Sequence, residues 1–581
     1  MKKIYSFDIF DTCLLRKCGS FENLYYLLAI EFLGNEANYD EIEDFVHNRI
    51  SAEFYFQNLT PNLFSLEQIH RYMEEKYGIC NWELLYQLEL KITEQQLIGV
   101  YELVTYIEQL RQDPKNEIVF ISDMYLPSSF LIKILERNKL YKKGDRLFVS
   151  CECGKTKSDG TLYDFVANQF KLKKIKNWIH FGDNSFSDIT VPKRKGIKTK
   201  LIKHPYSYYE NFYLKNSFFC VHRESAKILG AYLKAYRLSL PDKTYDVEFA
   251  IDVIGSLYIP YVIWLLKDAQ ARKIDHLLFL ARDSEIFLEI AKAAKELASG
   301  IKFSYIYVSR KSLNYVLENA KHKCLFREYL VQEGVTKEEN VGFVDLGWSG
   351  SSRYALGLLF HEFGFKTPYT YYWGYWGNEK PEYSPVNSVP MKAFNYLYAN
   401  HEIGLPGYVF SMLFEHYFSM TEEGSTLSYH REKSGIVVPE KGSPENDTRQ
   451  IVKKRYRIIS ELTSAIISNP AIMKDVCNIY SVVGRKICTS LLIKPTSKDI
   501  NLLKDIQVSH EGNISFLIGR INFLQRLGIL FTGNLYGGFS NWKLASLYNS
   551  PLRSLYAFLY PRTSTSSVGR SISNIIKKIT K

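Results

Sequence analysis

Short apolar runs that end in polar residues recur along the first two hundred positions of this chain. The first is residues 4–10, IYSFDIF, which runs straight into a polar turn. Residues 117–123 (EIVFISD), 147–151 (LFVSC) and 178–182 (WIHFG) repeat the form, and 197–202 (IKTKLI) closes the series. Between the first two runs, residues ~20–112 show helical apolar spacing, as in Leu24, Leu27, Leu28 and Phe32. Short buried runs alternating with helices predict a parallel α/β sheet with covered faces. The chemistry of such a sheet gathers at the carboxyl ends of its strands.

A second alternation begins after a basic, aromatic linker around 203–222. Residues 275–281 (DHLLFLA) predict a strand, followed by the helix SEIFLEIAKAAKEL. Residues 303–308 (FSYIYV), 341–346 (VGFVDL) and 369–373 (YTYYW) predict more strands. Residues 420–450 are polar, with Gly, Ser and Pro, and read as a loop or insertion; helical periodicity dominates beyond ~450. The expected division is therefore a Rossmann-like α/β domain at 1–205 with a helical insertion at about 16–112, and a helical connector at 206–244. A second α/β domain follows at 245–400, then a mainly helical, basic region at 401–581. The longest apolar run, Val253 to Leu266, is broken by Gly255 and Pro260 and reads as too short to span a bilayer.

Composition changes this picture at one end only. The chain has 581 residues, enough for three or four domains, with ordinary hydrophobic (46%) and charged (23%) shares. Aromatic content of 15% fits either large cores or surfaces that pack against sugars, bases or protein. The net charge is +12, and past Glu511 there is no acid at all. The nine basic residues there run from Arg520 to Lys581, so this end favours an anionic partner such as membrane headgroups. Its last segment, RSISNIIKKITK, sets Ile572, Ile575, Ile576 and Ile579 on one helical face. That fits an interfacial helix or one docked on the protein itself. Aromatic residues among the tail's charges (Phe531, Tyr536, Phe539, Trp542) come with no nucleic-acid module, so nucleic acid is not the expected partner. The nine cysteines contain no CxxC pair, and the start MKKIYSFDIFDT forms no apolar signal core. A cytoplasmic protein, peripheral to the membrane, is expected.

Four polar sites follow four predicted strand ends in order: Asp8-Ile9-Phe10-Asp11-Thr12, Ser122-Asp123, Lys157 in KTKSDGTLY, and Gly182-Asp183-Asn184 with Asp188. Singly, each has a plain structural explanation, such as a helix cap or a surface lysine. Together and in order, this set resembles the haloacid dehalogenase superfamily of phosphatases and related hydrolases over residues 1–205. The resemblance implies roles. Asp8 would be the nucleophile that attacks phosphorus and forms an aspartyl phosphate. Ser122 and Thr12 would bind phosphoryl oxygens, and Lys157 would neutralise them and hold Asp8 ionised. Asp8, Asp183, Asp188 and the Phe10 backbone carbonyl would hold Mg²⁺, partly through water. The insertion at 16–112 would be a cap that closes over substrate.

One position departs from the pattern. Phosphatases of this superfamily carry a general acid–base aspartate two residues after the nucleophile, where this chain has Phe10. Asp11 comes one residue later, and a shift of one reverses side-chain direction in an extended segment. Three readings stand: a leaving group that needs no protonation, an acid supplied by the insertion, or slow turnover in a domain that mainly binds or transfers a phosphorylated ligand. Loss of a general acid–base costs ~10²–10⁴ in rate.

The second α/β region offers further candidates. Arg282 and Asp283 stand in FLARDSEIF, Arg310 in VSRKS, and Asp345, Ser349, Gly350 and Ser351 in FVDLGWSGSSRYAL. A small-residue loop between strand and helix can cradle a phosphate on backbone N–H groups, or be no more than a tight turn. The loops have a loose similarity to phosphoribosyltransferases or a nucleotide-sugar site. A hydrolase-like first domain followed by FLARD and VDLGWSG also resembles multidomain hydrolases associated with bacterial surface polysaccharide synthesis, over residues 1 to ~400. That resemblance implies a phosphorylated sugar, nucleotide sugar or related glycan precursor as ligand.

Overall fold

A computed structural model describes residues 3–34, 37–170, 177–375, 389–396, 411–443, 449–510, 513–518 and 545. The chain divides into two compact units, Met1–Thr244 with Asn469–Ile479, and Tyr245–Ser468 with Tyr480–Lys581.

The first unit is built on a five-stranded parallel sheet. Its strands are β1 (Lys3–Phe7), β4 (Asn116–Ser122), β5 (Arg146–Val149), β6 (Trp178–Gly182) and β7 (Lys198–Leu201), in the order β5-β4-β1-β6-β7. Each apolar run of the first series forms a strand, but the first stops at Phe7 and leaves Asp8 to Phe10 in the turn beyond it. Strand β1 lies between β4 and β6, with Ser6 opposite His180 and Phe7 opposite Phe181. Parallel neighbours in register share a face. On one face Phe7 stacks on Phe181 at 4.8 Å. On the other, Ile4, Val119, Ile121, Tyr163, Val166 and Trp178 form one cluster.

The segment between β1 and β4 holds helices α1 (Phe21–Leu33), α2 (Tyr39–Leu59), α3 (Leu66–Tyr77), α4 (Trp82–Gln96) and α5 (Tyr101–Leu110). Asn38 with Glu41, and Ser65 with Gln68, form capping boxes that start α2 and α3. The sequence pattern shows helices here but misses a short antiparallel ribbon at their base. It pairs β2 (Leu14–Arg16) with β3 (Leu97–Gly99), and the Lys17 N–H donates to the Gln96 carbonyl at 2.7 Å. The insertion has a buried ionic centre: Arg49 donates to both Glu89 oxygens at 2.8 and 2.7 Å. Burial would push Glu89 up, but Arg49 and His70 hold it down at about 2. Residues expected as a connector form the helices Glu210–Asn216 and Arg223–Ser239, the second with Ile228, Leu229 and Leu233 buried.

The second unit has its own five-stranded parallel sheet, ordered β12-β11-β10-β8-β9. The strands are β8 (His276–Leu280), β9 (Lys302–Ile306), β10 (Val341–Trp348), β11 (Tyr369–Tyr375) and β12 (Met391–Tyr396). The apolar run near Val253 belongs to a helical stretch, Tyr245–Ala271, that by length and hydropathy could cross a membrane, contrary to the reading of the run as too short. It is a core element: 94% of its most apolar window is buried. The polar stretch after residue 420 is no plain loop. It contains the antiparallel hairpin β13 (Thr426–Arg431) and β14 (Val437–Lys441), turned at Gly435 with φ 87°. Helices follow at Arg449–Ile467, Arg485–Ile493 and Ser497–Leu503, then a second hairpin, β15 (Gln507–His510) with β16 (Asn513–Phe516). The segment RSISNIIKKITK lies outside the described residues.

Candidate functional site

The four sequence motifs converge at the carboxyl edge of the first sheet. Asp8 follows β1, and its backbone N–H donates to the Phe181 carbonyl of β6 at 2.8 Å. Ser122 ends β4, the strand on the other side of β1. Lys157 enters from the loop before the helix Thr161–Gln169 and is buried with Asp8. Its backbone N–H donates to both oxygens of Asp123, at 2.8 and 3.0 Å, which ties this loop to the end of β4. The Lys157 ammonium donates to Asp8 Oδ1 at 2.5 Å and to Asp188 Oδ1 at 2.8 Å. Ligand oxygens of Asp8, Asp183 and Asp188 all lie within 4.8 Å of one another.

The loop after β6 explains how Asp188 reaches the site. Asn184 accepts from the Phe186 and Ser187 N–H groups, which starts the wide turn Ser185–Thr190 that carries Asp188 inward. Gly182 is needed at the crossing: a Cβ there would lie 2.4 Å from Asp188 Cγ. The Asn184 N–H then donates to Asp188 Oδ2 at 3.0 Å.

The electrostatics follow from burial and from Lys157. Burial pushes Asp8 up to about 7, with the Asp188 charge adding to this and the Lys157 ammonium opposing it. Burial also opposes ionisation of Asp188, but Lys157 and His180 hold it well below the usual carboxylate range. Burial alone would lower Lys157, yet Asp8 and Asp188 push it well above its ordinary value. One ammonium therefore faces two buried carboxylates, with the half-buried Asp183 beside them. Three hard oxygen donors at this spacing fit a divalent cation, and a bound metal would supply the missing positive charge.

Two expected residues are already engaged by neighbouring side chains. The Thr12 hydroxyl donates to Asp183 Oδ1 at 3.3 Å, and its carbonyl accepts from His204 Nε2 at 2.9 Å. Asp11 sits at φ 56° and accepts from Arg16 Nη1 at 2.5 Å. The Arg16 guanidinium stacks over Phe21 at 3.7 Å and over Phe10 at 4.8 Å. The Phe10 ring is thus packed under a cation that also engages Asp11.

The insertion meets the site through Tyr125, three residues past Ser122. Its hydroxyl accepts from Arg49 Nη2 at 3.3 Å and lies 3.1 Å from the Tyr25 hydroxyl. A small cleft beside it is lined by Phe10, Phe21, Leu24, Leu97, Met124 and Tyr125, with Arg16 among its other walls.

No protein-family model matches the chain, and no curated protein matches it. Solved structures do. A magnesium-bound candidate HAD hydrolase, YfnB of Bacillus subtilis, aligns at 19% identity and TM-score 0.27, over 35% of this chain and 88% of its own. A HAD family enzyme of Bacteroides thetaiotaomicron aligns at 14% identity and TM-score 0.27, over 36% of this chain and 98% of its own. A 2-haloacid dehalogenase of Pseudomonas syringae pv. Tomato aligns at 13% identity and TM-score 0.26, over 34% and 85%.

The second unit also brings its candidates to a carboxyl edge. Arg282 and Asp283 occupy the turn after β8, and Arg310 opens the helix Arg310–Glu318 after β9. Asp345 lies in β10, and Ser349 and Gly350 (φ 79°) turn the chain into the helix Ser351–Phe363. Burial, then the charge of Asp283, pushes Asp345 up to about 7. The same two causes push Glu415 up to about 7, against His416 and Arg310. Glu415 and His180 were not legible as site residues. Both sit inside apolar stretches (SMLFEHYF and WIHFG) that read as core.

Proposed function

We propose that the first unit is a Mg²⁺-dependent phosphohydrolase or phosphotransferase that works through an aspartyl phosphate on Asp8. One observation carries this reading: the buried Lys157 ammonium bridges Asp8 and Asp188, with Asp183 within 4.8 Å, at a sheet edge where Ser122 also ends. The Asp8 carboxylate attacks phosphorus, the P–O bond to the leaving group breaks, and that oxygen departs with the electron pair. Lys157 and Ser122 hold the phosphoryl oxygens in this step. Water, or an acceptor hydroxyl, then attacks the acyl phosphate and frees Asp8. Asp8, Asp183, Asp188 and the Phe10 carbonyl would hold Mg²⁺, which neutralises charge on the transferring group. The substrate class is a phosphorylated sugar, nucleotide sugar or related glycan precursor.

Phe10 replaces the acid–base aspartate, and Asp11 is engaged by Arg16. This arrangement favours substrates whose leaving oxygen needs no proton, and supports a second reading in which the unit is a weakly catalytic phospho-ligand-binding scaffold of a polysaccharide-assembly complex. Turnover of a phosphatase panel with Mg²⁺ separates them. Asp8→Asn is expected to abolish turnover; equal residual activity in variant and wild type removes the enzyme reading.

The basic end past Glu511 fits an anionic membrane face on the cytoplasmic side. Truncation there is expected to abolish co-sedimentation with phosphatidylserine vesicles, and unchanged co-sedimentation defeats that role.

A further inference from the structure

We propose that His180 is a positioning residue for the metal site: a buried hydrogen-bond chain, Trp178–Ser6–His180–Asp188, fixes its imidazole as the neutral Nε2–H tautomer and aims the Asp188 carboxylate. This rests on the reading that Asp8, Asp183 and Asp188 hold a divalent cation.

The chain follows from strand register. Ile4 faces Trp178, and Ser6 faces His180, across the β1–β6 pair. Alternation along both strands puts these side chains on one face of the sheet. Ser6 and His180 are fully buried there.

The direction of the protons is dictated by the donor at the far end. An indole N–H can only donate. Trp178 Nε1 donates to Ser6 Oγ at 2.7 Å. The same oxygen lies 2.7 Å from His180 Nδ1. Among the described residues these are the two partners of the Ser6 hydroxyl, so its proton goes to Nδ1. Nδ1 must then be the unprotonated nitrogen, and the ring proton sits on Nε2. That nitrogen lies 3.2 Å from Asp188 Oδ1 and donates to it. A doubly protonated ring would leave the Ser6 proton without an acceptor at a fully buried site.

The result is a carboxylate gripped from three sides. Oδ1 takes His180 and Lys157, and Oδ2 takes the Asn184 N–H. Lys157 also binds Asp8, so it pulls Asp188 towards the nucleophile. His180 holds the same oxygen from strand β6. Groups that orient a metal ligand in this way set metal affinity without touching the metal, typically by ~10–100-fold.

The test uses the full chain and Mg²⁺ alone, titrated by calorimetry. His180→Phe is expected to weaken Mg²⁺ binding ~10–100-fold, whereas His180→Gln, whose amide N–H can replace Nε2–H, restores most of it. Ser6→Ala frees the tautomer and is expected to fall between them; it keeps the test open if the Phe variant does not fold. In the metal-free wild type, ¹⁵N spectra are expected to show a bare Nδ1 and a protonated Nε2. Unchanged Mg²⁺ affinity in both His180→Phe and Ser6→Ala overturns the positioning role. A protonated Nδ1 overturns the proton order. A wild type that takes up no Mg²⁺ overturns the metal reading itself, and the positioning role with it, while the ¹⁵N spectrum still decides the tautomer.

Discussion

Two five-stranded parallel sheets in one chain gather acids at their carboxyl edges, and they divide charge among those acids differently. At the first, Asp188 is surrounded by Lys157, His180 and the Asn184 N–H, and stays charged far into acid. Asp8 shares the same ammonium, yet burial pushes it up to about 7. At the second, Asp345 and Glu415 face burial and the charge of Asp283, and both are pushed up to about 7. The first edge holds one acid, Asp188, charged beside Asp8, where a cation can balance it. The second keeps protons that can be exchanged near neutral pH, a property suited to acid–base chemistry. A parallel sheet with acids at its carboxyl edge therefore says little about chemistry; the donors around each carboxylate decide it.

The largest effect that would break this contrast is loss of the first edge's cation. Lys157→Met leaves Asp8 and Asp188 buried together without their ammonium. Removal of one partner of a buried ion pair costs ~3–5 kcal/mol. Denaturant unfolding is expected to show a loss of that order, partly reversed by Mg²⁺; a wild-type midpoint would mean that the ion pair contributes nothing. A smaller, more local effect is expected from Gly182→Ala, whose Cβ would lie 2.4 Å from Asp188 Cγ. Asp188 must move, so Mg²⁺ affinity should fall ~10–100-fold with little change in overall stability. Unaltered affinity would show that Asp188 is no ligand.

The smallest effect sharpens the second edge. Asp345 in the folded chain keeps its proton up to about 7, against an ordinary value of 3.8. The folded state therefore binds more protons between those values, and stability contributed by this group falls as pH rises through that window. Asp345→Asn cannot ionise. Relative to wild type it should gain stability at about pH 7 compared with about pH 4, by at least ~1 kcal/mol, which is roughly what a tenfold change in proton affinity is worth. Parallel stability–pH curves for the two chains would mean that Asp345 is no proton store.

Much of this was legible in the chain, for a physical reason. Asp8, Ser122, Lys157, Asp183 and Asp188 each stand just past a short apolar run or in the loop after one, so the alternation that predicts a strand also marks what lies at its tip. His180 carries no such mark. It occupies an inward position of β6, where an apolar residue would satisfy the same pattern, and only register with Ser6 shows its partner. Glu415 is hidden likewise, as one acid in an apolar helical stretch. The ribbon of β2 with β3 is three residues a side, too short for any alternation to register. The hairpin of β13 with β14 was masked by a polar stretch whose turn signal is one glycine, Gly435.

That small ribbon has a consequence of its own. The insertion leaves the α/β framework and returns to it through strands that pair residue by residue, Leu15 with Ile98 and Arg16 with Leu97. Its two ends are therefore already side by side, and a tight turn could join them without moving Asp8 or Ser122. Everything between Lys17 and Gln96 is, in architectural terms, an exchangeable cassette. Its exchange for another segment would leave the sheet edge that carries Asp8, Lys157 and Asp188 as it is.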